Sequence, residues 1–563
     1  MKKFLSNNHK ACLTLAFGLL VFCFWRYRYP FALAFQEQLQ LFLFDGDYFL
    51  KRMAEPGGLA RYVAEFLVQF YNNFTAGAAI IAVLLMTVQR LTWRVMGMKQ
   101  AEKVADCWYP LSFVPASILW FAMGDESVLL TYTVALVLAL TVMAGWTAVN
   151  RLNRYVRWGI VLVAVPLLYW FIGPMVLLVA LWVMPLSVIY AVALMILSTH
   201  VVPFPMMRVM SGIDYYRFPQ MVPYVLLLIP VAVLLLGYGA RYLPKPRSWM
   251  MWPALVLLVA LMLVPKYNFE DKKYELIEYD YLVRVNDWDA VIAKAEKQMP
   301  DLPASVSATN LALAMTNQLG ERAFDFYQHG TEGLLPNFDR NFSTLQLTGE
   351  IFFRLGLVNT AQRFAFEAME AIPNYNKSVR AVKRLAETNL VNGQYRVAEK
   401  YLRMLEKTIF YRPWAQRTIQ LLGDEKAIDG HPLYGTLRQY RLQEDFLFSD
   451  RELDKICGRL FMHNQQNGMA LQYLLMMPLL DKDIPRFMTY LQLVQGRVQY
   501  NPRSCQEATA LAFMQQRREP PKGLVSPWVL QQMTDFSRIY AHDRKSPELE
   551  RFRNTVWYYC MGK

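Results

Sequence analysis

"VKRLAETNLVNGQYRVAEKYLRMLEK", residues 382–407, contains two apolar patterns of helical period separated by a short polar turn. Apolar residues recur three or four positions apart on both sides of Gly393, which is the spacing of one face of a helix. Glycine is a common stop signal after a helix because it adopts a left-handed backbone without a steric penalty. The stretch therefore predicts a hairpin of two helices.

The same pattern recurs earlier in the second half of the chain. Aligning the turn residues Asn286, Gly320, Gly356 and Gly393 gives spacings of 34, 36 and 37 residues. One helical hairpin cannot bury its apolar face alone, so neighbouring hairpins must stack to create a core. No strand-like alternation interrupts the pattern, and we predict an α-solenoid over residues 266–563.

This period resembles that of tetratricopeptide repeats, which have a consensus length of about 34 residues. Ala361 and Ala398 match the alanine that this family carries early in the second helix, although the full Trp, Leu, Gly, Tyr signature is absent. Such repeats usually bind peptides or partner helices. The resemblance therefore implies a protein or peptide partner.

Residues 1–265 have a different composition. They hold only 20 of the 59 Lys and Arg and 10 of the 45 Asp and Glu. Since about 20 apolar helical residues cross a bilayer core of about 30 Å, we predict a polytopic transmembrane bundle of about eight helices. The candidate spans are residues 11–28, 74–92, 108–124, 128–149, 157–172, 174–197, 222–239 and 250–265.

The net charge of +14 is concentrated in short segments between these spans, which favours membrane topology over nucleic-acid binding. Along the first six spans, basic residues occur in every second loop, and this pattern predicts a cytoplasmic N-terminus. Arg241, Lys245 and Arg247 then disagree with a count of eight spans. The side of the membrane that carries residues 266–563 therefore stays open.

A long loop, residues 29–73, separates the first two predicted spans. Within it, "LARYVAEFLVQFY" (residues 59–71) has aromatic and aliphatic residues on one helical face and Arg61, Glu65 and Gln69 on the other. This pattern predicts an amphipathic helix lying in the membrane interface.

The same loop carries Glu37, Asp45, Asp47 and Glu55. Asp45 and Asp47 in "DGD", with Glu37, resemble the acidic first exterior loop of polytopic glycosyltransferases that use lipid-linked sugars, the GT-C class. The resemblance implies a catalytic base or a carboxylate that holds a divalent cation. The alternative is that the acids keep an interfacial loop hydrated.

Two further sets of polar residues have competing interpretations. His200 and Asp214 lie in a polar, proline-rich loop, where solvation is favoured over contact with a substrate. Six basic residues on consecutive helices could form one face for an acidic peptide or an anionic headgroup, or a solvated exterior. These residues are Arg380, Lys383, Arg384, Arg396, Lys400 and Arg403.

Motifs for nucleotide binding, for hydrolases and for paired metal ligands are missing, and the six cysteines and six histidines are scattered. We therefore predict no cofactor and no metal, except a divalent cation under the transferase alternative. Ionisable residues are nearly absent from the predicted spans, which disfavours transport by a charge relay. Whether the protein is an enzyme stays open.

The whole chain resembles uncharacterised multi-pass bacterial inner-membrane proteins with a tetratricopeptide-like C-terminal domain. The stretches that carry this resemblance are residues 56–71, 310–330 and 383–402. It implies the bacterial inner membrane and lends no activity. We expect an integral membrane protein whose helical repeats recruit a protein partner, with a GT-C-like transferase as the alternative.

Overall fold

The computed structural model describes residues 2–98, 104–146, 149, 152–218, 223–243, 268–337, 342–374, 376–443 and 452–561. Across these residues the regular structure is helical, and the only β feature is an isolated antiparallel bridge between Val128 and Tyr216. The prediction of an all-helical chain is therefore confirmed for the described residues. The eighth predicted span (residues 250–265) and the predicted boundary between residues 265 and 266 lie outside them.

Contacts divide the chain into two units. Unit 1 contains Met1–Tyr274 together with two later segments, Ile372–Val379 and Met404–Arg412. Unit 2 contains Glu275–Ala371, Arg380–Arg403 and Pro413–Lys563. The two later segments of unit 1 had no signal in the sequence.

The α-helices of unit 1 are numbered here in chain order. They are α1 (Lys2–Cys23), α2 (Pro30–Glu37), α3 (Gly46–Met53), α4 (Gly58–Val68), α5 (Phe74–Met98), α6 (Val114–Ala122), α7 (Leu130–Gly145), α8 (Arg154–Ile172), α9 (Val176–Val183), α10 (Ser187–Ser198), α11 (Met206–Ser211) and α12 (Tyr224–Gly239).

Four helical segments in the described residues are long and apolar enough to cross a membrane: His9–Arg28, Phe74–Met98, Arg154–Val183 and Tyr224–Tyr242. The segment Arg154–Val183 contains α8 and α9, which are separated by a 3-10 turn at Gly173–Met175 where Gly173 has a φ of +60°. The predicted span 128–149 is short in the structure, since the 16 residues of α7 extend only about 24 Å.

The centre of unit 1 is α5, which contacts α1, α2, α6, α7 and α12. A neutral polar network lies within this apolar core. The Thr14 hydroxyl donates to the Gln89 side chain at 2.8 Å, and the Gln89 amide donates to Ser112 Oγ at 2.6 Å. These bonds satisfy polar groups that would be costly to bury alone.

The helices of unit 2 continue the numbering. They are α13 (Asp271–Val285), α14 (Trp288–Lys297), α15 (Pro303–Met315), α16 (Leu319–Arg322), α17 (Phe342–Leu355), α18 (Val358–Glu370), α19 (Val379–Val391), α20 (Tyr395–Glu406), α21 (Arg412–Ile419), α22 (Glu425–Asp429), α23 (Tyr434–Tyr440), α24 (Leu453–His463), α25 (Gly468–Leu480), α26 (Ile484–Val494), α27 (Arg503–Gln515), α28 (Pro527–His542) and α29 (Val556–Cys560). The first residues of α13, α19 and α21 and the last residues of α20 belong to unit 1.

Six of the described helices in unit 2 end in the same way, with a left-handed residue one or two positions after the last helical residue. After α19, for example, the Gly393 N–H donates to Leu390 O at 3.1 Å and the Gln394 N–H to Asn389 O at 2.8 Å. This pair of bonds is the Schellman motif. The left-handed residues are Asn286, Asn317, Gly356, Gly393, Lys482 and Arg517.

One predicted turn residue was wrong. Gly320 lies inside α16, and the left-handed turn is at Asn317. Asparagine tolerates a left-handed backbone better than most residues with a side chain, so the sequence offered two candidates within four positions. The first three turn spacings in the structure are 31, 39 and 37 residues.

The most buried helix of unit 2 is α25, in which every residue from Met469 to Leu480 is buried. The Gln472 side chain accepts from Leu319 N–H at 3.2 Å and donates to Ala314 O at 3.1 Å. These partners lie about 150 residues earlier in the chain. A row of repeats that contact only their neighbours has no such long-range bonds, so the hairpins of unit 2 also pack around a shared helix.

Candidate functional site

The three acids proposed for catalysis have different surroundings in unit 1. Glu37 is buried and accepts a hydrogen bond from the Tyr411 hydroxyl at 3.0 Å. Asp45 lies 3.1 Å from Lys407 Nζ, and Asp47 is exposed in the first turn of α3. The described residues contain no group of three His, Cys, Asp or Glu side chains that could hold a metal ion.

The polar face of α4 is buried inside unit 1, while the predicted place of this helix in the membrane interface stays a prediction. The helix forms where the sequence predicts it, after Gly57 turns the chain with a φ of +80°. Arg61 and Glu65 are 1% and 0% exposed, whereas Tyr62, Val63 and Phe66 on the other face are partly exposed. The polar face therefore points into unit 1, because it has charged partners there.

Arg61 is the centre of these contacts. Its guanidinium lies 2.5 Å from Glu55, 3.2 Å from Glu65 and 2.5 Å from Asp214. Arg61 and Glu65 are one helical turn apart, so both project from the same face of α4. One arginine thus binds three carboxylates from different parts of unit 1.

A second layer completes the arrangement. Arg52 lies 2.9 Å from Glu65, and the Tyr48 hydroxyl donates to the same carboxylate at 2.5 Å. On the opposite side, the Asn374 and Asn376 amides donate to Asp214 at 2.5 and 3.2 Å. Asn376 also accepts from Arg52 at 3.1 Å and from Arg61 at 2.9 Å.

We call these residues, together with Arg208, the buried charge cluster. Its members are Tyr48, Arg52, Glu55, Arg61, Glu65, Arg208, Asp214, Asn374 and Asn376. Three arginines balance three carboxylates, so the cluster is formally neutral. Neutrality limits the cost of removing these charges from water, which burial of an unpaired ion would make large.

The charges set the pKa values of the cluster. Burial by itself raises the pKa of Asp214, but Arg61 and Arg52 and the bond from Asn374 lower it below its ordinary value. For Glu55, burial dominates over Arg61 and Arg52, and its pKa is raised. Asp214 is therefore a persistent anion with its oxygens already bound, which suits a structural ion pair better than a general base.

The expectation that Asp214 lies in a solvated loop is wrong, because Asp214 is 0% exposed. His200 in the same segment is exposed. The i, i+4 pair of Arg61 and Glu65 was a usable signal for buried partners, because both share the polar face of α4. Nothing in the sequence pointed to Asn374 and Asn376, which come from a segment 160 residues later.

The structure separates the six basic residues of unit 2 into two groups. On α19, Arg380 lies 2.6 Å from Asp280, Lys383 lies 3.7 Å from Glu387, and Arg384 pairs with Glu350. On α20, Arg396, Lys400 and Arg403 are exposed, although Arg403 is 3.3 Å from Glu399. Only the second group offers a basic face to solvent.

Unit 2 also contains a cleft of about 650 Å³ that the sequence did not indicate. We call it the aromatic cleft. The Nζ of Lys482 lies 4.9 Å from the centroid of the Tyr559 ring. The Tyr558 hydroxyl donates a hydrogen bond to the Glu550 carboxylate at 2.7 Å. The lining residues are Met299, Phe324, Asp325, Phe326, Tyr327, Gln328, Lys482, Glu550, Arg553, Tyr558 and Tyr559.

Comparison with known proteins identifies a family whose function is not known. The profile of a family of unknown function, DUF6057, matches residues 6–563. The chain belongs to this family. No curated protein and no solved structure matches it. The DUF6057 match spans both units, so the buried charge cluster and the aromatic cleft lie within the family's own limits.

Proposed function

We propose that this DUF6057 protein is an integral membrane protein whose helical hairpins bind a protein partner and recruit it to the membrane. The observation that carries the proposal is the aromatic cleft, which combines rings, an apolar Met299 and two exposed cations, Lys482 and Arg553. Exposed aromatic and basic side chains in a concave surface are typical of binding hot spots.

The membrane part of the proposal rests on the four apolar helices of unit 1. We propose the bacterial inner membrane, a cytoplasmic N-terminus and further spans toward the expected eight, in line with the alternation of basic loops. For unit 2, we propose a tetratricopeptide-like order for the hairpins from α13 to α20, whose turns share the Schellman geometry.

The partner that suits the cleft is an extended peptide segment with an acidic residue between apolar side chains. Asp325 is within 3.7 Å of Arg322 and of Arg503, and Glu550 accepts from Tyr558, so both carboxylates of the lining already have partners. Lys482 and Arg553 are exposed, and each can donate charge-assisted hydrogen bonds to an acidic residue of such a segment.

The test places a photo-crosslinking amino acid at Tyr327 in the cleft or at Arg396 on α20, in cells that produce the full chain. The crosslinked protein is identified by mass spectrometry and purified. Its Kd is then measured for the wild-type protein, for Lys482→Glu/Arg553→Glu, and for the matched control Arg396→Glu/Lys400→Glu.

We expect crosslinks from position 327, and a Kd at least about tenfold weaker for the cleft variant, which corresponds to about 1.4 kcal/mol. The control should change the Kd less than about threefold, because exposed single charges contribute little. A partner that crosslinks from position 396 and responds only to the control variant would transfer the proposal to the basic face of α20. Crosslinks from neither position would refute it.

The transferase alternative depends on Asp47, since Glu37 and Asp45 are engaged by Tyr411 and Lys407. Asp47→Ala is the direct test in a strain whose deletion phenotype is rescued by the wild-type gene. Full rescue by Asp47→Ala would remove the last acid of this loop that is exposed for a substrate.

A further inference from the structure

Two segments of unit 1 come from the hairpin half of the chain, Ile372–Val379 and Met404–Arg412. Both contact the first loop, residues 29–73, through backbone hydrogen bonds. The Leu41 N–H donates to Lys377 O at 3.1 Å, and the Phe44 N–H donates to Lys407 O at 2.8 Å. Both segments therefore lie at the end of unit 1 that contains the first loop, which we call the first-loop end.

Buried side chains hold the same two segments to the first loop. Asn376 accepts hydrogen bonds from Arg52 at 3.1 Å and from Arg61 at 2.9 Å, and Glu37 accepts one from Tyr411 at 3.0 Å. Asn376 is 8% and Glu37 is 2% exposed. Breaking such bonds would leave buried polar groups without partners, which is costly. The contact is therefore a stable part of the fold of unit 1.

The N-terminus of α1 lies at the opposite end of unit 1. Helices α1 and α5 run antiparallel, because Arg26 donates to Thr75 at the start of α5, at 3.1 Å, whereas Thr14 donates to Gln89 much later in α5, at 2.8 Å. The 22 residues of α1 extend about 33 Å, which is enough to cross a bilayer core of about 30 Å. One passage through α1 thus separates the N-terminus from the first-loop end.

Helix α8 ends at the first-loop end. The Gly57 N–H donates to Trp170 O at 2.9 Å, and the Trp170 indole donates to Met53 O at 2.8 Å. After the turn at Gly173, α9 has only 8 residues and α10 only 12. These helices extend about 12 and 18 Å, so neither can cross the bilayer core by itself.

Helix α10 returns to the end of unit 1 at which α8 ends. The Tyr190 hydroxyl donates to Leu162 O at 3.2 Å, and two turns later in both helices the hydroxyls of Ser198 and Tyr169 lie 2.6 Å apart. The two helices therefore run parallel. The predicted sixth span, residues 174–197, is a hairpin that begins and ends at the first-loop end, which removes one of the eight expected crossings.

This hairpin also removes the disagreement at Arg241. The segment before α12 lies at the first-loop end, because Asp214 is 2.5 Å from Arg61. Toward the other end of α12, a Cβ added to Gly237 would lie 3.2 Å from the side chain of Val95, near the end of α5. Arg241 follows α12 and therefore lies at the end of unit 1 that is opposite to the first loop.

Basic residues mark this opposite end in four places. Lys10 lies near the start of α1, Arg94 near the end of α5, Arg154 at the start of α8 and Arg241 directly after α12. Lysine and arginine are enriched in short cytoplasmic connections of membrane proteins. The opposite end is thus the cytoplasmic one in the proposed inner membrane, and the first-loop end faces the periplasm.

We propose that the helical hairpins and the aromatic cleft lie on the periplasmic side of the inner membrane, so that the recruited partner is an exported protein. Residues 275–371, 380–403 and 413–561 continue directly from segments at the first-loop end. None of the described helices in these ranges is long and apolar enough to cross back. The inference rests on the membrane location in the proposed function and adds the compartment of the partner.

The test measures which positions of the full chain react with a membrane-impermeant maleimide in sealed spheroplasts and after their lysis. Lys51→Cys probes the first loop, Lys400→Cys and Lys522→Cys probe the hairpins, and Arg154→Cys and Arg241→Cys probe the opposite end. All five residues are exposed. Labelled peptides are quantified by mass spectrometry, so the native cysteines stay in place. A maleimide that crosses membranes is the control for the reactivity of each position.

We expect the variants at positions 51, 400 and 522 to be labelled equally before and after lysis, and those at positions 154 and 241 to be labelled only after lysis. Labelling of positions 400 and 522 only after lysis would overturn the proposal, and so would labelling of positions 154 and 241 before lysis. If all five positions are labelled only after lysis, the membrane location fails and the proposal with it. The expected pattern without any crosslinked partner would support the assigned side and refute only recruitment.

Discussion

Arg61→Met should destabilise unit 1 strongly, because it removes the cation that binds three carboxylates. Methionine keeps an unbranched apolar side chain but leaves Glu65 and Asp214, each 0% exposed, without their shared partner. Breaking a buried ion pair by removing one partner costs about 3–5 kcal/mol. For a unit of more than 200 residues this corresponds to a fall in Tm of about 6–20 °C.

The assay is thermal unfolding of the full-length protein in an uncharged detergent, followed by size-exclusion fluorescence. Arg28→Met is the matched control in the same unit. Its side chain is 67% exposed and 3.8 Å from Asp271, so the loss should be about 0–1 kcal/mol. Arg61→Met/Asp214→Asn should recover part of the loss, since it removes one of the unpaired charges.

The pH dependence provides an independent check. In the wild-type protein the pKa of Asp214 is lowered, so its contribution to stability is present at neutral pH and is lost as the pH falls through the lowered value. Without Arg61 its pKa should rise, and protonation at lower pH should relieve the variant. The difference in Tm should therefore be smaller at pH 5.5 than at pH 7.5. A difference below about 2 °C at pH 7.5 would refute the role assigned to Arg61, and an equal difference at both pH values would refute unpaired carboxylates as its cause.

Two further predictions concern unit 2. Gly356→Ala should destabilise the protein more than Gly393→Ala. Both glycines have a positive φ, which costs alanine about 1–2 kcal/mol. Only at Gly356 would the added Cβ also lie 2.6 Å from the Tyr440 side chain. Equal losses in Tm would show that the packing of Tyr440 adjusts freely. Glu507 is buried, and burial raises its pKa to about 7 although Arg503 opposes the shift. Because the folded state then binds the proton more tightly than the unfolded state, stability should fall by about 1–3 kcal/mol as the pH rises from about 4.5 to 7. This dependence of stability on pH should disappear in Glu507→Gln. An unchanged dependence in the variant would assign it to another titratable group.

Several local features of the fold could be predicted from the sequence, because they depend on neighbouring residues. The helix of residues 58–68 follows from its apolar period, and the turns at Asn286, Gly356 and Gly393 follow from residues that tolerate a left-handed backbone. The error at Gly320 shows the limit of this approach. Two permitted turn residues lay close together, and packing selected Asn317.

The long-range contacts of unit 1 could not be predicted in this way. Arg61, Asp214 and Asn376 are brought together from three distant segments, and no short stretch of sequence carries that information. The polar face of α4 illustrates the consequence. Its period determined that it would form a helix with one charged side, but not whether that side would meet water or other charges.

The sequence by itself determined that the chain is helical, that its first half contains helices able to cross a membrane, and that its second half is built from helical hairpins. These properties follow from composition and from periods of three to four residues, which act over one or two turns. Only the tertiary structure decided that Arg61, Glu65 and Asp214 are buried together, and that α25 lies among distant hairpins. Those outcomes depend on which surfaces exclude water together, and that is a property of the folded chain.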